Sequence, residues 1–300
     1  MAAIREYRCF LKVVCQRFMT IYLCYTFSDI SEFQDNEYGN CFTFNPSTQN
    51  RELYTTSKTG KQNGVTLILF VEQSEYLTLL SEGVGFVLSV HNPNNHPFPE
   101  DESISVVPGY ETSIGISISE TKRLGQPWYN CTKEDKTPYG NYPYSTSACR
   151  KECLQTFLRG KCGCENAISK NGYKKCNMLN KTQDLCHQMI RYLHNHGKLT
   201  CNCPEPCSRY SYSMTTSLAV WPSDGYSERL LHLLHVMNNK TKAIKTSTLR
   251  GNIALVQVYI DSLHIETVSQ EKAYDMFDLF ADIGGALGLW IGMSAVTLLE

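Results

Sequence analysis

Ten cysteines fall between residues 131 and 207, and no other feature of this 300-residue chain so narrows what it can fold into. They make up roughly 13 percent of that stretch, the density of a disulfide scaffold, while Cys9, Cys15, Cys24 and Cys41 all lie in the first 41 residues. Two Cys-x-Cys pairs, Cys162/Cys164 and Cys201/Cys203, bring a metal site into consideration. Zinc ligands are normally spaced Cys-x2-Cys in a reducing compartment, so disulfides are the better reading and no metal or cofactor is expected. Sequons at Asn130, Asn180 and Asn239 point to the same oxidising, glycosylating compartment; Asn45 is excluded because Pro46 follows it. Cys149 and Cys153 lie one helical turn apart and Cys201 and Cys203 two apart on an extended segment, so two parallel bridges could lace helix to strand.

A second constraint lies at the other end. Ile283 to Leu299 runs seventeen residues without a charge, bounded by Asp282 and Glu300, at the lower limit for a helix that spans a bilayer. A buried core helix is the plainer alternative, but four glycines (Gly284, Gly285, Gly288, Gly292) suit close packing in a membrane better than a globular core. An oxidised segment before a membrane helix must be translocated, which needs an upstream signal. Met1 to Phe27 supplies none, since its uncharged run Phe18 to Ser28 is too short to span and has no small-residue cleavage site. The expectation is that an upstream membrane helix is missing and that the chain is cut at both ends.

Between these features the hydrophobic period changes twice. Val65 to Val71 is a nearly continuous apolar run and reads as a buried strand, Gly85 to Val90 as another, and Glu111 to Glu120 alternates with Ile114, Ile116 and Ile118 on one face after a Pro108-Gly109 turn. An antiparallel sheet is expected. Ser147 to Arg159, Asp184 to His194 and Gly225 to Met237 read as helices, and Asn252 to Val268 as a long strand leading through Tyr274 to Phe280 into the apolar segment. A net charge of −1 and the absence of any run of five like charges exclude a nucleic-acid partner. There is no Gly-x-Ser-x-Gly or His-Glu-x-x-His, and His232 and His235 have no partnering Glu, so an enzyme is not expected.

Several short motifs stand in a fixed order around the cysteine cluster: Tyr38-Gly-Asn-Cys41-Phe-Thr-Phe-Asn45, Val107-Pro-Gly-Tyr110, Pro127-Trp128-x-x-Cys131, Asp282-Ile-Gly-Gly285 and Gly288-Leu-Trp-Ile-Gly292-Met-Ser294. With the ten-cysteine spacing, they resemble the family of degenerins, epithelial sodium channels and acid-sensing ion channels over roughly residues 15 to 300. The resemblance implies an α+β fold with an antiparallel β palm and ball core, a disulfide-laced helical thumb and the start of a pore helix. Its divisions would be an N-terminal fragment of uncertain structure at 1–27, palm, ball and finger at 28–130, thumb at 131–207, knuckle and returning palm strand at 208–280, and the second membrane helix with its filter from 281 to 300. It also implies the pairs Cys131–Cys207, Cys149–Cys203, Cys153–Cys201, Cys162–Cys186 and Cys164–Cys176, with Cys15–Cys24 as a further local pair. Cys41 resembles a cysteine whose family partner follows the first membrane helix, and Cys9 has no assignment.

The implied function is that of one subunit of a trimeric, amiloride-sensitive, sodium-selective channel at the plasma membrane, with most of the chain extracellular, two identical or different partner subunits, and the bilayer. Gly292, Met293 and Ser294 match the selectivity filter, with Met293 larger than the usual middle residue; backbone oxygens there would replace water around the transported sodium. Asp282 and Glu300 match pore carboxylates, and the outer one could also bind blocking calcium. Ala281 matches the degenerin position, Gly288 the amiloride site, Trp128 a gating contact, and Asp261 and Glu266 lower-palm acids. Read alone, a Gly-x-Ser pattern would more often be helix packing.

Proton sensing needs carboxylates close enough to raise one another's pKa. Here His187, Gln188, Met189, Ile190 and Arg191 follow Cys186, the stretch Glu75 to Gly83 looks shortened, and Glu100, Asp101 and Glu102 read as a solvated turn. His187, His194 and His196 read as surface histidines. Gating by a peptide or other small extracellular ligand is therefore expected, with proton gating as the alternative within the family. A secreted cysteine-rich binding module is the alternative from another class.

Overall fold

The computed structural model describes residues 2–6, 14–15, 30–35, 39–44, 55–71, 73, 76, 83–101, 103–133, 142–165, 174–177, 179–237, 241–242 and 244–292. Among them run β1 (Ala2–Glu6), β2 (Val14–Cys15), β3 (Ile30–Asp35), β4 (Gly39–Phe44), β5 (Val65–Phe70), β6 (Phe86–Val90), β7 (Ile104–Val106), β8 (Tyr110–Lys122) and β9 (Cys131–Thr132). Then follow α1 (Thr146–Cys162), α2 (Lys181–Asn195), β10 (Glu205–Pro206), β11 (Ser208–Val220), α3 (Asp224–Met237), α4 (Thr246–Asn252), β12 (Ile253–Ser269) and α5 (Met276–Ile291). Met293, Ser294, Glu300, Asn239, Cys9, Cys24, Tyr38, Asn45, Glu75 and Glu102 lie outside the described residues.

Two five-stranded sheets, in the orders β11-β8-β12-β5-β2 and β3-β4-β1-β6-β7, carry the core. Alternate residues of β5 serve two different interiors, as the period of a strand demands. Leu67, Leu69 and Val71 join Phe86, Leu88, Val90, Ile114 and Val256 between the sheets. Ile68 and Phe70 join Ile253 and Leu255 of β12 under Leu230, Leu231 and Leu234 of α3 and Leu249 of α4. A strand buried on both faces reads as an unbroken apolar run, which is why Val65 to Val71 shows no alternation. In β8 the expected face is the buried one, with Ile114 and Ile116 almost wholly enclosed and Ile118 packed at the margin.

The sheet departs from an all-antiparallel arrangement at one central pairing, because β12 runs parallel to β8. Parallel neighbours need a long crossover, and the chain supplies one: everything from Arg123 to Asn252 lies between them. That crossover includes β11, which pairs antiparallel with all of β8 from Ser208↔Lys122 to Val220↔Tyr110. The short β9–β10 pair is also parallel.

The cysteine-rich unit leaves and re-enters the sheet at one place. The Arg123 backbone N–H donates to the Cys207 carbonyl over 2.7 Å, Cys207 N–H to Thr132 O over 2.9 Å, and the Arg123 guanidinium pairs with Glu205 at 2.6 Å. Within the unit Ser145 caps α1, its hydroxyl accepting from Ala148 N–H, and Gly163 ends it in the left-handed region at φ 66°. Disulfides join Cys131 to Cys207 at the neck, Cys149 to Cys203 and Cys153 to Cys201 along α1, Cys162 to Cys186 between α1 and α2, and Cys164 to Cys176 at the far end. Four of the five therefore anchor on α1 or just beyond its cap, leaving that helix little freedom to rotate.

Candidate functional site

The candidate site lies where β12 hands over to α5. Asp275 caps the helix in a reciprocal box: its carboxylate accepts from Phe277 N–H at 2.7 Å and Asp278 N–H at 3.0 Å, while Asp278 Oδ2 accepts from the Asp275 N–H at 2.8 Å. The helix consequently starts at Met276, five residues ahead of the boundary expected at 281, and takes in Asp278 and Asp282. It ends at Ile291, where Gly292 turns left-handed at φ 67°. A side chain there would be strained, whereas glycine enters this region freely.

From Met276 to Trp290 every side chain of α5 is exposed, and Phe277, Leu289 and Trp290 are each more than 80 % so. An apolar helix with no protein cover needs some other apolar medium or partner. Among the described residues no helix is long and apolar enough to cross a membrane. Ala281 and Gly288, seven residues apart, return to the same face at 3.6 residues per turn. Asp282 lies about a quarter-turn away, and its Oδ2 accepts from the Tyr274 hydroxyl at 2.6 Å. That bond favours the neutral phenol, so the Tyr274 pKa is raised, with desolvation adding to it.

Trp128 lies in the turn that follows β8 and is 57 % exposed, its N–H donating to Gly125 O. Its ring carries the Lys272 ammonium 4.5 Å from the centroid. Asp261 opens an irregularity in β12, where the four residues between Ile260 and Ile265 stand against the single residue between Ile116 and Ile118 of β8. Glu266 lies past it, opposite Ser119. Both acids are exposed. Among the described residues no group of three or more His, Cys, Asp or Glu side chains is arranged to hold a metal ion.

Glu100 is not left to solvent as a turn carboxylate would be. It pairs with Lys151 of α1, and the same ammonium lies 5.7 Å over the Phe98 ring. Beside it the His96 ring meets Phe33, Phe98 and Tyr142 at centroid distances of 5.7, 4.9 and 5.3 Å, joining β3 to the approach of α1. His187 is also not a surface histidine: it is 5 % exposed on α2. Burial lowers its pKa, Arg191 adds to that effect and Asp184 opposes it. His194 is half-buried and His196 is exposed. Asn130 and Asn180 are exposed as glycan acceptors must be, and Asn180 caps α2 by accepting from Thr182 N–H at 3.1 Å. Cys41 is buried in β4, opposite Phe33 of β3.

Lys272, Tyr274 and Lys151 are the contact-forming residues that the sequence motifs do not pick out. Charged and aromatic residues in a linker are unremarkable until the neighbouring turn is known. The only local signal is the every-second-residue spacing of Gln270, Lys272 and Tyr274 in an extended segment.

The family profile described as amiloride-sensitive sodium channel matches residues 7–300. The chain is 32% identical over 282 residues to degenerin mec-10 of Caenorhabditis elegans, covering 91% of this chain and 37% of that protein. It is 32% identical over 296 residues to the degenerin-like protein unc-105 of the same organism, covering 92% and 32%, and 30% identical over 280 residues to the epithelial sodium channel subunit beta of Bos taurus, covering 88% and 42%. The chain thus spans about two fifths of the length of these relatives, or less.

Proposed function

The chain belongs to the family of amiloride-sensitive sodium channels that includes the degenerins and the epithelial sodium channel subunits, and from that premise we propose that it forms the extracellular region and pore entrance of one subunit of a trimeric, sodium-selective channel. The family is one of ion channels, not enzymes. The observation that carries the proposal is α5, an apolar helix begun by a firm aspartate cap, continuous with a core strand through a short linker and uncovered by any other part of the described chain.

On this reading residues 131–207 are the thumb, β8, β11 and β12 belong to the palm, and α5 is the outer part of the second membrane helix. Glycine at 292 lets the backbone leave helical geometry, so that oxygens of Gly292, Met293 and Ser294 from three subunits can face an axis and take over the hydration shell of sodium. Asp282 rings the outer mouth and Glu300 the inner side, attracting cations and rejecting anions. Gly288, on the face shared with Ala281, is the amiloride site. No cofactor is involved, and calcium would act as a blocker at the acidic mouth.

Ligand gating is supported over proton gating by the surroundings of the acids. Glu100 is paired with the Lys151 ammonium, whereas proton sensing needs carboxylates set against one another. The full-length gene product that carries this chain, expressed in oocytes, should give sodium current blocked by amiloride and evoked by extracellular peptides. A large current on acid steps would replace ligand gating by proton gating. Release of the protein from membranes by carbonate, with no current, would replace the channel by a secreted cysteine-rich module.

A further inference from the structure

The linker between β12 and α5 is fastened to its surroundings at every second residue. Gln270 N–H donates to Lys122 O at 2.9 Å, and Gln270 Oε1 accepts from Leu124 N–H at 3.2 Å. Lys272 lies over Trp128, and Tyr274 holds Asp282. The first three of these partners, Lys122, Leu124 and Trp128, belong to the end of β8 and the turn that opens the cysteine-rich unit. The last lies in the second turn of α5. Between Trp128 and the neck disulfide at Cys131 only two residues intervene, so displacement of the unit must displace the indole.

We propose that Lys272 is a positioning residue through which the disulfide-laced unit moves the pore helix of its own chain: the ammonium ties the linker to the Trp128 ring, and Tyr274 passes the displacement to the Asp282 carboxylate. This rests on the channel reading above. The chain of contacts needs nothing from a second membrane helix or a neighbouring subunit. A linker of six residues between Ser269 and Met276 is short enough to transmit a pull, and its attachments leave little slack. Lysine is suited to the role because its ammonium can slide over the ring face without losing the attraction.

The test uses the full-length gene product in oocytes, with the unit perturbed by brief reduction of its disulfides at the cell surface. Lys272→Gln and Trp128→Ala should each change the ratio of resting to reductant-evoked current by about two- to fivefold, the range of an exposed cation–π contact. The double variant should change it no further than either single one, and Lys272→Arg should restore it. Tyr274→Phe should act in the same direction, while the amiloride concentration for half block stays put in the Lys272 and Trp128 variants. Independently of current, a Trp128→Cys/Lys272→Cys protein should lose maleimide labelling after oxidation, and the single variants should not. Additive effects, failure of arginine to rescue, or labelling that survives oxidation overturns the linkage while leaving the channel reading intact. Wild-type protein that reaches the cell surface but carries no amiloride-sensitive current overturns the channel reading, and the linkage with it, even where the double-cysteine protein is protected from labelling.

Discussion

Arg159 Nε stands 3.2 Å from Glu165 Oε1, across the cap that ends α1, and the carboxylate it neutralises is almost wholly buried. The same guanidinium also pairs with Glu152 two helical turns behind it. The pair fixes where the chain goes between Cys162 and Cys164, since Glu165 N–H and O both bond the Lys174 to Cys176 segment. Removing one partner of a buried pair leaves a desolvated charge behind. Arg159→Leu should destabilise the cysteine-rich unit by about 3 kcal/mol, and adding Glu165→Gln should recover much of the loss. Thermal unfolding of the purified protein in detergent would measure both, and an Arg159→Leu protein as stable as wild type would remove the pair from the account.

Two glycines should respond to alanine with opposite signs. A Cβ on Gly64 would meet Val258 O at 2.2 Å and Tyr259 Cβ at 2.7 Å, backbone and strand of β12 that cannot withdraw. Gly64→Ala should therefore cost about 1–3 kcal/mol or more. Gly160 lies inside α1 with nothing within 4 Å of its Cβ position, and alanine there should add about 0.5–1 kcal/mol. Paired melting curves would check the difference in sign.

Asn180 combines a cap with a sequon, and the two roles use different atoms. The cap needs Oδ1 as acceptor, and a glycan would occupy Nδ2. Asn180→Asp should remove one glycan from the mobility on a gel and keep the stability of α2, whereas Asn180→Gln should remove the glycan and cost about 1 kcal/mol. Equal stability of the two variants would show that the cap contributes nothing.

Acid should weaken the fold through its histidines. Burial above all pushes the His91 pKa from 6.5 down to about 4, and His187 is lowered for the same first reason. Both are neutral in the folded chain, so the stability they leave intact above pH 6.5 is lost as pH falls toward 4 and the unfolded state takes up protons preferentially. His187→Gln should flatten the stability profile across that window. An unchanged profile would mean that His187 is charged, or accommodated, in the folded protein.

At the pore entrance a bulky side chain should interfere with closure. Ala281 shares its helix face with Gly288, and Ala281→Phe in the full-length gene product should raise the resting amiloride-sensitive current. A variant that closes normally would withdraw the assignment of that face to the pore.

The strands and helices with an unmistakable period were legible in the residues: the two-faced β5, the isoleucines of β8, and the four-residue spacing of α1. β11 was not named, although Tyr210, Tyr212, Met214 and Leu218 lie on one face of it with polar residues between them. Its alternation is muted because neither face is deeply buried, so serine and threonine occupy both. The parallel match of β8 with β12 was illegible for a different reason, since both strands look alike whichever way they pair. The start of α5 is not marked by the uncharged run that follows Asp282, because the cap that sets it consists of two aspartates, Asp275 and Asp278. Contacts of Lys272 and Lys151 depend on which turn or helix is folded against them, and no local pattern carries that information.

Because the cysteine-rich unit departs from Lys122 and returns at Ser208, directly across one rung of the β8–β11 ladder and just beyond one neck disulfide, its backbone enters and leaves the sheet at one root. Lengthening, shortening or replacing its tip leaves the strand register on either side unaltered. A lineage can thus remodel the tip while inheriting the sheet whole, and divergence should accumulate beyond Cys164–Cys176 sooner than at the root.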